Sequence, residues 1–183
     1  MRKELSNRSW KDKGIGTISN TLSLFIITIM ILALLFFLYP IKTLQATDFQ
    51  TGNYLKSWRV RNRDTFGIEY IHSVEKSPVL ENYIIDGKDI ILLDTYFQSF
   101  GAGLPATTPY SFEKTERGFR VYDINEEMED LVYRVGSAER NHRLIFKNKE
   151  YKLLDFSEHK MGVKLSVKNM IRLSYIVKEG GLF

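Results

Sequence analysis

Chemistry needs side chains that ionise, ligate or attack, and this sequence uses them sparingly. It holds three histidines and no cysteine. One histidine, His72, sits in YIHSVEKSPVLENY, residues 70–83, with Glu81 nine residues further on. An imidazole beside a carboxylate can act as an acid–base pair, or it can pin two strands together by a satisfied hydrogen bond. A catalytic dyad needs a nucleophile or a bound water beside it. Ser73 adjoins His72, yet neighbours in an extended chain point to opposite faces, so Ser73 is poorly placed for activation. A metal site would need further ligands, and nothing in the spacing of His142 and His159 joins them to His72. The lack of cysteine excludes thiolate nucleophiles, disulfides and cysteine-ligated zinc. No Gly-x-Ser-x-Gly elbow occurs. No metal, cofactor or catalytic residue is therefore assigned, and the pin is the favoured role of the pair.

A second stretch, FQSFGAGLP at 97–105, brackets Ala102 with Gly101 and Gly103. Glycines permit positive φ or a close approach of backbone to a ligand, and exposed amides there could cradle an anion. No helical pattern follows, so this is not a phosphate-binding loop, and a turn that ends a strand is the plainer reading. DINEEMED at 123–130 gathers carboxylates but lacks the glycine of a calcium loop, so it reads as a solvated turn.

The elements that must position these residues alternate with period two. Short β-rich runs, among them TFGIEYIHSV, VLENYIID, DIILLDTYFQSF and MIRLSYIV, are separated by turn-like EKSP, DGKD, TERG and KNKE. That spacing predicts an all-β domain, an antiparallel sandwich or a barrel-like sheet, over residues 55–178. Phe66, Ile68, Tyr70, His72 and Val74 share one face, and Val79, Glu81, Tyr83 and Ile85 another. Folding about Glu75–Pro78 would set Val74 opposite Val79, His72 opposite Glu81 and Tyr70 opposite Tyr83.

Ahead of that domain, Ile18 to Tyr39 carries no charge. About 20 apolar residues in a helix span a bilayer core of roughly 30 Å, so 18–39 is expected to be a transmembrane helix. A domain this small could hardly wrap a helix that is apolar all round. Five basic against two acidic residues precede it, while Lys42 alone closely follows. By the positive-inside rule residues 1–17 form a cytoplasmic tail and the β-domain lies outside, with 40–54 as a polar linker. The formal charge of +4 thus reflects topology and attraction to lipid, not a nucleic-acid surface. A cleavable signal peptide ending near Ala46 is the competing reading, but its apolar core would be about 7–15 residues, shorter than this run.

The two motifs together resemble DUF1850, a bacterial family of small proteins with a domain of unknown function. The resemblance rests on His72, Ser73, Val74, Glu81, Tyr83, Ser99, Gly101, Ala102, Gly103 and Pro105, and covers about residues 55–125. It implies an anchored, exported β-domain. It also implies a setting beside TRAP-type permeases whose solute receptors are of the TAXI class. The expected role is a membrane-anchored extracytoplasmic accessory or interaction module, with such a permease or receptor as partner. The alternative is an extracytoplasmic enzyme or small-ligand-binding domain that uses His72 and Glu81.

Overall fold

A computed structural model describes residues 11–98, 108–116, 118–137 and 142–181. The first element is helix α1, Lys11–Leu38. Its segment Asn20–Leu38 is long and apolar enough to cross a membrane, and none of it is buried. The helix stops where it does because Pro40 disfavours a helical conformation at Tyr39. The last helical bond runs from Tyr39 N–H to Leu35 O, 3.0 Å.

The chain then enters strand β1, Pro40–Asp48, followed by β2, Tyr54–Arg59, and β3, Thr65–Ile71. Next come β4, Pro78–Asp86, β5, Asp89–Phe97, β6, Ser111–Thr115, and β7, Gly118–Tyr122. The series closes with β8, Glu126–Met128, β9, Asp130–Arg134, β10, Arg143–Phe146, β11, Lys149–Lys152, β12, Gly162–Ile171, and helix α2, Arg172–Glu179.

The strands pair antiparallel in two sheets, and neither closes into a barrel. One has the order β2-β1-β12-β9; the other runs β11-β10-β3-β4-β5-β7-β6, with β8 also on β5. The sandwich alternative of the sequence thus holds. Leu44, Ala46, Trp58 and Leu165 from the four-stranded sheet meet Phe66, Ile68, Tyr83 and Ile85 from the other in one core. Truncating a fully buried residue such as Leu165 would cost about 2–5 kcal/mol.

Three expectations need correction. Residues 40–54 are not simply a linker, since β1 lies between β12 and β2 at the centre of its sheet. Ile41 and Leu44 on that strand are buried, and so are the polar Thr43 and Gln45. Gln45 donates to Thr43 Oγ1 at 3.1 Å, and Thr43 donates to Lys168 O at 2.9 Å. A strand whose second face is filled by small polar residues reads as a connector. Secondly, the stretch MIRLSYIV, expected as a strand, turns helical after Ile171. Gly180, in the left-handed region at φ 69°, caps α2 and donates to Ile176 O at 2.9 Å. Thirdly, DINEEMED is not all turn, because Glu126–Met128 pairs with β5 as β8.

Strand directions define two poles. Pro40 pairs with Ile171, so α1 and α2 both attach at one end of the four-stranded sheet. The β4–β5 turn lies at this end, where Lys42 Nζ donates to Gly87 O at 2.6 Å. At the far end of β12, Val163 pairs with Asp48 and with Tyr133. From Ile171 to Val163 is eight residues of strand, about 27 Å at the usual rise.

Candidate functional site

His72 and Glu81 do not pair. The β3–β4 register sets Tyr70 opposite Val79, Ile68 opposite Glu81 and Phe66 opposite Tyr83. The inward faces are the expected ones, but the strands are offset by four residues from the expected pairing. The turn is responsible. It runs from His72 to Ser77, closed by His72 N–H to Ser77 O at 2.8 Å and Lys76 N–H to His72 O at 3.0 Å. Lys76 takes the left-handed conformation, φ 54°. Pro78 opens β4 instead of closing the turn, a place where its missing N–H does no harm. Val74 and Ser73 are exposed on the turn. The half-buried His72 accepts the Glu75 N–H on Nδ1 at 3.3 Å.

Glu81 has other partners, all phenols. Tyr70 donates to Oε1 at 3.2 Å and Tyr83 to Oε2 at 3.0 Å, while Tyr133 also donates to Oε2. The Tyr83 and Tyr133 hydroxyls are 2.6 Å apart. Tyr83 lies two residues beyond Glu81 on one face of β4, and Tyr70 is its diagonal neighbour on β3. Tyr133 reaches across from β9 in the other sheet. One carboxylate therefore ties both sheets together at the pole away from α1.

Aromatic rings pack against the cluster. Phe66 stacks on Tyr83 at 5.2 Å, and His142 stacks on Tyr70 at 5.4 Å with a 7° interplanar angle. His142 accepts the Gly136 N–H on Nδ1 at 3.3 Å. Burial pushes the Tyr70, Tyr83 and Tyr133 phenols well above their ordinary range, and the charge of Glu81 adds to the shift. Such phenols hold their protons at any physiological pH. The three phenols therefore act as hydrogen-bond donors to the carboxylate.

The outer face of the same sheet carries a different carboxylate. Asp94 accepts from Asn82 at 2.6 Å and from Arg120 at 2.7 Å. Arg120 also bonds Glu113 at 3.1 Å and lies over the Tyr96 and Tyr122 rings. Beside this network is a concavity of about 970 Å³ whose lining includes Glu69, Leu80, Asn82, Tyr96 and Ile145.

Residues 66–153 match the family model described as a domain of unknown function, DUF1850. That segment is a DUF1850 domain. The DUF1850 match holds His72, Glu81 and all three tyrosines of the cluster, and it extends beyond the stretch that carries the sequence resemblance. Strands β1, β2 and β12 and helix α2 lie outside it. No curated protein and no solved structure matches the chain. Of the motif residues, His72 and Ser73 form the turn and Glu81 forms the cluster. Ser99, Gly101, Ala102, Gly103 and Pro105 lie outside the described residues. Among the described residues no three of His, Asp and Glu converge as metal ligands do.

Sequence reasoning missed Tyr133 and His142. Tyr70 and Tyr83 were visible on the inward faces, but Tyr133 lies 52 residues beyond Glu81 in a sheet whose pairing no local pattern reveals.

Proposed function

We propose that this DUF1850 protein is a single-pass membrane protein. Its sandwich stands outside the cytoplasm as an accessory or interaction module. The observation that carries this is the uncharged 19-residue segment Asn20–Leu38 of α1, none of it buried, continuous with the central strand of a folded domain. The same strand supports retention of the helix. A cut after Ala46 would remove Ile41, Leu44 and most of β1, stripping the core of one sheet. The basic residues ahead of the uncharged segment support a cytoplasmic N-terminus by the positive-inside rule.

The partner is proposed to be a TRAP-type permease or its TAXI-class solute receptor, the setting implied by the family. Two surfaces are suited to such a role. One is the pole bearing the His72 turn, on the side away from the membrane. The other is the outer-face concavity beside Asp94. A catalytic role for His72 and Glu81 has no geometric support, since four residues of register separate them. Affinity purification of the full chain from mild-detergent membranes tests the partnership. Co-elution of a TRAP permease or receptor at a constant ratio is expected. Recovery of the chain alone, with the permease in the unbound fraction, would exclude a stable complex.

A further inference from the structure

Helix α2 wears its amphipathicity inside out. Tyr175 and Glu179, four residues apart, share the face that meets β2, and Leu173 and Val177 share the opposite face. The polar side is the docked one. Tyr175 Oη accepts the Arg59 N–H at 3.2 Å, and Glu179 accepts the Ser57 N–H at 2.8 Å and pairs with Lys56 at 3.2 Å. The apolar side is left open, with Leu173 46% and Val177 75% exposed, and Ile171 just before the helix is 48% exposed.

What adjoins this face indicates what covers it. Arg172, the first residue of α2, donates its N–H to Tyr39 O at 3.2 Å and Nη1 to Phe36 O at 3.3 Å. Its guanidinium lies 4.0 Å from the Phe36 ring centroid. Phe36 and Tyr39 mark the end of α1. If α1 spans a bilayer, α2 starts at the depth where hydrocarbon gives way to headgroups, the level that suits tyrosine rings and snorkelling arginines. Exposed Arg61, Arg63, Lys88 and Lys168 surround the same pole. Of the acids in those turns, Asp64 and Asp89 are half-buried and Asp86 is exposed.

We propose that α2 lies in the outer interface of the bilayer. Its Leu173–Val177 face enters the acyl-chain boundary, and the basic rim engages anionic phosphate headgroups. The sandwich is then held by two attachments at a fixed orientation. This rests on the membrane-spanning reading of α1.

The absence of native cysteine makes the test direct. Single variants Ile27→Cys, Glu158→Cys and Val177→Cys of the full chain carry a nitroxide in vesicles of phosphatidylethanolamine and phosphatidylglycerol. Collision with oxygen, which concentrates in lipid, is compared with collision with an aqueous nickel chelate. Position 27 should favour oxygen, 158, exposed at the far pole, should favour nickel, and 177 should side with 27. Nickel access at 177 with 27 still in lipid would overturn the surface role alone. Shielding of 177 from both reagents would mean that protein, such as a second copy, covers the face, and would overturn it too. Nickel access at 27 would remove the span, and the proposal with it. Replacing phosphatidylglycerol with phosphatidylcholine should raise nickel access at 177; an unchanged ratio would remove the anionic headgroup from the account.

Discussion

At the pole where α1 joins the sandwich, α2 turns apolar side chains outward and polar ones toward the protein. At the opposite pole, Glu81 points into the core and three tyrosines gather around it. Both arrangements reverse the usual order of polarity, and each needs its own compensation. An outward apolar face is stable where the surroundings are themselves apolar. An inward carboxylate is stable where donors replace water, and the cluster supplies three. The difference separates attachment from architecture. The first pole depends on what lies outside the chain, whereas the second is complete within it.

The largest effect should come from cutting the chain before β1 or within it. A chain that begins at Pro40 keeps the central strand and should melt cooperatively, whereas one that begins at Thr47 should fail to fold. Circular dichroism on both checks this, and equal melting temperatures would deny β1 its structural role and reopen cleavage at Ala46.

Next is Glu81→Ala, which strands three phenols and should cost about 3 kcal/mol. Tyr133→Phe removes one donor to a charged group and should cost about 1.5–3 kcal/mol. Both remove the same contact, so the double variant should lose clearly less than the sum. Additive losses in urea titrations would separate the two residues and break the link between the sheets.

Alkaline pH probes the same cluster. The folded phenols hold their protons above the ordinary value of 10.0, so below about pH 10 folded and unfolded chains are equally protonated there. Above it the unfolded chain binds fewer protons, and stability must fall as pH rises. Tyr133→Phe should make that fall shallower, as read from midpoints between pH 9 and 11. An unchanged slope would mean that Tyr133 is not shielded in the core.

The smallest effect belongs to His72→Ala, about 0.5–1.5 kcal/mol for one acceptor within a turn. It should add to Glu81→Ala without coupling, because four residues of strand, about 13 Å, separate their positions. A coupling above about 0.5 kcal/mol would restore the pairing that the observed register rejects.

These variants also mark what was legible in the sequence. Inward faces were, because alternation assigns Val79, Glu81, Tyr83 and Ile85 to one side whichever residues they oppose. Register was not, since a shift by an even number of residues keeps every face, and the length of the turn alone decides it. The long apolar helix needed only length and composition. In α2, alternating Ile171, Leu173, Tyr175 and Val177 satisfy the strand period, and no core contacts the apolar face to favour the helical one. β1 was obscured by Thr43 and Gln45, polar residues that only a neighbouring strand could satisfy.

The central claim is an anchored domain on the outer side of the membrane. Protoplasts or spheroplasts bearing single-cysteine variants Lys3→Cys or Lys149→Cys, treated with a membrane-impermeant maleimide, test it most directly. Position 149 should label in intact cells, and position 3 only after the membrane is permeabilised. The reverse pattern, with position 3 open and 149 protected until lysis, would contradict the account.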